Sequence, residues 1–260
     1  MIRPAELARS RAALESQWSS LRRWIGEVPV AAYPDRSVLP EWTVGELIVH
    51  IGRAMDAIAA LEPPDPRALP MSLPAYVATY AAGADAIATT TRELAVEATG
   101  GELDWIDAAW ARAVETLDAL GPGDRVMVAR RGPIRLGDFV LSRVVELVVH
   151  ADDLARSMPG QSLPTIERDA EQLVVRFLLD ALADKAPGKA LEVRVPPYAA
   201  VQAVAGPRHT RGTPSNVVET DATSWIRLAT GRWGWSEAVV MGRIHASGQR
   251  ADLAELLPLL

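Results

Sequence analysis

The chain contains no cysteine, so disulfides and thiolate metal sites are excluded. If its chemistry involves sulfur, the thiol must arrive as a small molecule. Lysine is almost absent: of 27 basic residues only Lys185 and Lys189 are lysine, and the rest are arginine. Positive charge does not predominate either. The formal net charge of −6 favours solubility and offers no electrostatic reason to expect nucleic acid as a partner. No run approaches the roughly 20 apolar residues needed to span a bilayer. The opening MIRPAELARSRAALESQW is charged and amphipathic, without the apolar core of a signal peptide. A cytoplasmic protein with no membrane partner is expected.

What is present is ordinary globular material. Hydrophobic residues make up 49% and charged residues 23% of 260, enough to bury a substantial core in one large or two ordinary domains. Residues 4–27 carry Leu7, Leu14, Trp18, Leu21 and Ile25 at helical spacing. Proline-rich VPVAAYPDRSVLPEW ends that helix. Thr43 then stands where an N-cap belongs, with Glu46 three residues on as in a capping box, and Trp42 is placed to staple the helix start. This helix runs to about Leu61 and is broken by EPPDPRALP. Further helices are expected over 73–98, 102–120 and 137–157, with GPGDRVMVARRGPIRLG as a turn, a short extended piece and a turn. Helices joined this way suggest an antiparallel bundle.

After Pro159 the texture changes. A helix over about 164–184 leads to the Val-rich, partly alternating ALEVRV, AAVQAVA and SNVVET, and helical patterns return at 221–230, 235–242 and 250–257. The expected fold class is α+β in two domains, a helical bundle over 1–160 and a small α+β domain over 161–260.

The helix at 137–157 holds the best local chemical signal. Glu146 and His150 are four apart, so they share a face with Cβ atoms roughly 6 Å from each other. One helix can thus give two ligands to a single divalent ion. Asp153 shares that face and can orient the imidazole through its second nitrogen or serve as a further ligand. The competing reading is a solvated stripe made of Arg143, Glu146, His150, Asp153 and Ser157. His50 flanks the apolar face of Leu47, Ile51, Ala54 and Ile58, a position that also suits a plain core histidine. His209 and His245 read as loop and short-strand residues without a role. Trp233 and Trp235 read as core. Arg232 either caps a helix C-terminus or aims its fork at a carboxylate.

Two stretches together are more specific than either alone. RSVLPEWTVGELIVHIGR and RLGDFVLSRVVELVVHADDLARSM resemble the two metal-ligand helices of the mycothiol-dependent maleylpyruvate isomerase family, one of the DinB-like metal-binding bundles. WIRLATGRWGWSEAVVMGRIHASGQRADLAELLPLL looks like the small α+β domain, related to sterol carrier proteins, that follows the bundle there. The resemblance covers essentially the whole chain. It implies a five-helix bundle with His50, Glu146 and His150 as metal ligands, zinc as the usual metal and mycothiol as the thiol cosubstrate. It makes Arg232 a candidate substrate contact, with Asp153 as the other candidate catalytic residue. There are two departures. For the substrate-binding arginine of the third helix this chain offers only Arg92, and Glu41 stands where the family usually has glycine.

Two imidazoles and one carboxylate leave a coordination position open, the layout of a catalytic zinc site. A thiol entering there loses its proton, whereas a free thiol has a pKa of about 8.5. Attack on an electrophilic carbon then gives cis–trans isomerisation or S-transfer. Metal-assisted hydrolysis, with water ionising near pH 7, and a non-catalytic small-molecule-binding or regulatory protein are the other readings. The partners expected are a small thiol and a small electrophile, for a monomer or small homo-oligomer.

Overall fold

The computed structural model describes residues 5–206 and 216–260; His209 lies outside them. The chain separates into two compact units, dividing between Ala170 and Glu171. The first carries six helices and a hairpin. Helix α1 is Leu7–Ile25, α2 Val44–Ala59, α3 Leu73–Ala82, α4 Ala84–Glu97 and α5 Glu102–Leu120. Strands β1 (Val126–Ala129) and β2 (Gly132–Arg135) follow, then α6 (Leu136–Ser157).

Helix α6 is the axis of this unit. It packs against α1 and α2, while α2 also packs against α5 and α4. Its apolar residues are buried around its circumference, including Phe139, Val140, Val144, Leu147, Val148, Ala151 and Leu154. A helix covered on every side has no solvated stripe to offer. Arg143, His150 and Asp153 are accordingly buried too, which removes the solvated-stripe reading of that sequence pattern.

Helix α2 begins as its sequence dictates. Thr43 Oγ1 accepts from the Glu46 amide at 3.1 Å, and Glu46 Oε2 accepts from the Thr43 amide at 2.7 Å. This capping box satisfies two donors that the first turn would otherwise leave unpaired. Gly52, at mid-helix, lets α2 approach α5 closely: a Cβ there would lie 2.6 Å from the Trp105 ring and 2.7 Å from Ile106. Glu41, just before the helix, has φ 63°. That is the left-handed region which disfavours side chains, and it explains in physical terms why glycine suits this position.

The single helix expected over 73–98 is in fact two, broken at Gly83. The cause lies in a distant residue. Arg131 Nη1 donates to the Thr79 carbonyl at 2.8 Å, the acceptor that Gly83 would use in a continuous helix, and the Gly83 amide turns to Tyr80 O instead. A Cβ on Gly83 would lie 2.6 Å from Arg131 Nη2. The bundle thus has six helices rather than five. The 121–137 segment also differs from expectation, forming an antiparallel hairpin in which Val126 pairs with Arg135 and Ala129 with Gly132. Arg130 and Arg131 form its turn.

Helix α7 (Arg168–Lys185) opens the second unit, followed by β3 (Leu191–Val195), β4 (Ala199–Ala203), β5 (Val217–Thr220), α8 (Ala222–Ala229), α9 (Trp235–Val240) and β6 (Ile244–Ser247). The sheet order is β4-β3-β5-β6, with β3 and β5 parallel and the outer pairs antiparallel. Leu191, Val193, Val195 and Val218 bury one face of the sheet, as their alternation requires. Asp221 caps α8 through the Ser224 amide at 2.9 Å. The α+β class stands. The helix expected at 250–257 does not form: Asp252 Oδ1 captures the Ala254 amide at 2.8 Å, and the Leu259 amide bonds back to Ala229 O at 2.7 Å. Local capture of an amide by aspartate competes with helix in this way. Trp233 and Trp235 are half-exposed rather than core, and Arg227 lies over the Trp233 ring at 4.6 Å. No helix among the described residues is long and apolar enough to cross a membrane.

Gly52→Ala tests the α2–α5 approach. Helix propensity alone would favour alanine by about 1 kcal/mol, whereas overpacking against Trp105 and Ile106 costs about 1–3 kcal/mol. Urea denaturation should show net destabilisation; an unchanged or raised midpoint would contradict the contact.

Candidate metal centre

His50 on α2 and Glu146 and His150 on α6 converge, with one donor atom from each lying within 4.8 Å of the others. Glu146 Oε2 is 3.1 Å from His150 Nε2 and 3.5 Å from His50 Nε2. The rings are nearly perpendicular, with centroids 4.9 Å apart. Ligands about 2.0–2.1 Å from a tetrahedral zinc lie about 3.3 Å apart, so the donor set matches such an ion in chemistry and spacing.

Each imidazole presents Nε2 to the cluster because Nδ1 is held from behind. Asp153 Oδ2 is 3.0 Å from His150 Nδ1, and Thr91 Oγ1 on α4 is 3.3 Å from His50 Nδ1. Both partners are fully buried. A buried carboxylate accepting from Nδ1–H fixes the tautomer and leaves the Nε2 lone pair facing inward. Of the two roles open to Asp153, orientation is the one its geometry serves. Trp42 packs edge-on against His50 with centroids 4.9 Å apart. The ring thus covers the histidine rather than acting only as a helix-start staple.

Glu146 is pushed toward neutrality by burial. Hydrogen bonds from His150 and His50, and the Arg143 charge, outweigh that and hold its pKa well below the usual range. For His150, burial opposes protonation, but hydrogen bonds to Asp153 and Glu146 win and raise it to about 8. His50 is lowered to about 4, chiefly by burial and against the pull of Glu146.

The cluster opens onto a cavity of about 560 Å³ lined by His50 and Glu146. Several lining residues carry no local sequence signal. Arg143 is buried on α6; its Nη2 donates to the Tyr80 hydroxyl and stands 3.8 Å from Glu146 Oε1, and its Nη1 donates to Ala54 O at 3.4 Å. Thr91, which stands behind His50 and is not part of the lining, likewise lay hidden in the run TTTREL. Arg92, the third-helix candidate, does not line the cavity and pairs with exposed Glu41 at 3.3 Å. Arg232 belongs to the second unit, where its Nη1 donates to Thr230 O at 2.8 Å, at the C-terminal cap of α8. His245, on β6, is exposed.

Residues 14–155 match the family described as the mycothiol maleylpyruvate isomerase N-terminal domain. The chain belongs to this family. Residues 167–259 match a second family, described as bacterial SCP ortholog, so the two-domain order of the isomerases is present. A crystal structure of the mycothiol-dependent maleylpyruvate isomerase superposes with a TM-score of 0.52 at 18% identity, covering 95% of this chain and 94% of that one. A histidine-to-alanine mutant of that isomerase gives a TM-score of 0.53 at 17% identity, with the same coverage. At these identities the likeness establishes the shared fold. No curated protein sequence matches the chain.

The two histidines set opposite pH limits on the metal-free protein. His150, raised above its unfolded value of 6.5, contributes stability that is complete below pH 6.5 and lost as pH rises through about 8. His50, depressed, contributes stability present above pH 6.5 and lost as pH falls through about 4. Thermal melts of chelator-treated protein should therefore peak near pH 6.5, and His150→Gln should flatten the alkaline limb. A melting temperature that rises steadily past pH 8 would contradict the assignment.

Proposed function

We propose that this member of the isomerase family binds a divalent cation, zinc by its donor set, through His50, Glu146 and His150. It uses the thiol of mycothiol to attack an electrophilic small molecule. The observation that carries this reading is the convergence of two Nε2 atoms and one carboxylate oxygen, at zinc-compatible spacing, beside a cavity. When bound, such an ion supplies positive charge that keeps a thiol ionised at neutral pH. The rest of the chemistry falls to the chain.

Glu146 and the two imidazoles would hold the ion and leave it open to an incoming group. Asp153 and Thr91 keep both rings turned inward. Trp42 covers one side of His50, and the lining residues Ala54, Ala57 and Phe139 give the neighbouring wall an apolar surface. An enclosed, partly apolar surround strengthens the electrostatics of the site.

The proposed reaction adds the thiolate to one carbon of a double bond conjugated with a carbonyl. The electron pair of that double bond moves to the carbonyl oxygen. Rotation about the resulting single bond, followed by expulsion of the thiolate, restores the double bond with inverted geometry and regenerates the thiol. Where the electrophile carries a leaving group, the same attack ends in S-transfer. The names of the structural relatives favour isomerisation, with maleylpyruvate as the first substrate to try.

The test begins with metal analysis. Purified protein should contain, or take up, about one zinc per chain; His50→Ala and His150→Ala should lose it. Asp153→Asn should weaken zinc binding about 10–100-fold, as loss of an imidazole-orienting partner does elsewhere. Turnover of maleylpyruvate should require both zinc and mycothiol. Wild-type protein that takes up no metal when zinc is added would sink the reading. Metal-dependent hydrolysis that proceeds without thiol would replace it.

A further inference from the structure

Helix α4 covers one side of the cavity with little packed beneath it. Ile87, Thr90 and Leu94 recur at helical spacing and line the cavity, so much of the apolar stripe of this helix borders open volume. Among the described residues of α4 only Thr91 is buried, whereas α2 and α6 bury most of their length. Val96, near its C-terminal end, is exposed. A helix with few buried apolar contacts opens at low cost, ahead of the rest of its domain.

Each end of α4 meets a glycine junction. Gly83 separates it from α3. At the other end Gly100, with φ 81°, and Gly101 lead into α5. A Cβ added at Gly100 would meet nothing within 4 Å, and one at Gly101 only the Ala98 carbonyl oxygen at 3.8 Å. This joint is therefore unpacked as well as conformationally permissive. Element-terminal positions of that kind absorb the backbone rotation of a hinge.

Two polar contacts tie α4 to the rest of the unit. Thr91 Oγ1 lies 3.3 Å from His50 Nδ1 in a buried contact, and Arg92 Nη2 donates to Glu41 Oε2 at 3.3 Å on the surface. No other side chain of α4 has a hydrogen bond or ion pair outside the helix among the described residues. The exposed pair contributes little. The buried contact ends on a residue of the metal cluster.

We propose that α4 is a lid over the cavity, hinged at Gly83 and at Gly100–Gly101, and latched shut by Thr91 on the back of His50. Opening removes the wall made by Ile87, Thr90 and Leu94 and admits reactants; closure shuts water out of the cluster. The latch is linked to occupancy of the cluster, and this link alone rests on the function proposed above. A cation on Nε2 fixes the N–H of His50 on Nδ1, where it donates to Thr91 Oγ1. Metal then strengthens the latch, and by reciprocity the latch strengthens metal binding by the same factor. Thr91 is a positioning residue on this account.

Hydrogen exchange of the full chain, read by mass spectrometry on chelator-treated and zinc-supplemented protein, tests both parts. In metal-free protein the α4 amides should exchange about a hundredfold faster than those of α5, which packs its apolar face on α2. Thr91→Val, which keeps the shape and removes the hydroxyl, should speed α4 further, and Thr91→Ser should restore wild-type exchange. Zinc should slow α4 about tenfold in wild type and in Thr91→Ser, and much less in Thr91→Val, whose zinc affinity should fall by a similar factor. Exchange of α4 as slow as that of α5 would overturn the lid, and that measurement needs no variant. Thr91→Val exchanging like wild type would overturn the latch. Normal zinc uptake that slows α4 equally in wild type and Thr91→Val would overturn the link and leave the proposed function standing. Absence of zinc uptake would sink the proposed function, and the metal-free exchange would still decide the lid.

Discussion

An ionised carboxylate buried inside a helical bundle is the condition around which the first unit is organised. Glu146 has little solvent to stabilise its charge, and burying a charge without partners is prohibitive. The groups that make it tolerable come from two helices. His50 reaches in from α2, His150 stands one turn further along α6, and Arg143 stands one turn back. Each of these is in turn held by a group behind it: Thr91, Asp153 and Tyr80. Buried polar networks are stabilising only when every member is satisfied, and this one has its partners in place.

That requirement ties the architecture to the site. Helix α2 must be started at a defined residue for His50 to face α6, and the Thr43–Glu46 capping box sets that start. Gly52 lets α2 lie close to α5. Tyr80 and Thr91 come from α3 and α4, whose separation at Gly83 depends on Arg131 of the hairpin occupying the Thr79 carbonyl. The hairpin turn, which reads as mere connection, therefore both breaks a helix and lines the cavity with arginine.

Local signals were read well wherever the responsible residues are neighbours in sequence. The capping box, the proline breaks, the alternating strands and most of the periodic helices depend on contacts spanning a few positions, and appear where expected. Departures arise where a distant residue intervenes or a side chain captures a nearby amide. The break at Gly83 needs Arg131, some fifty positions away. At the other end of the chain, Asp252 and the return of Leu259 to Ala229 O prevent a helix that periodicity favours. The half-exposed Trp233 and Trp235 show that aromatic composition does not report depth.

The sequence by itself determined most of the elements and the α+β class, because caps, periodicity and alternation are properties of single segments. Spacing within one helix offered only Glu146 and His150 as a pair; the family and His50 as the third ligand came from the resemblance of two motif-bearing helices. Tertiary structure alone decided that the stripe on α6 faces inward, because a helix's orientation depends on what covers its other sides. It also decided which groups support the site. Thr91, Tyr80, Arg143 and Arg53 are ordinary residues in their own segments, and become partners of the cluster or its cavity only when α2, α3, α4 and α6 are packed together. Proximity between residues forty to ninety positions apart is set by packing, and no local pattern in the chain encodes it.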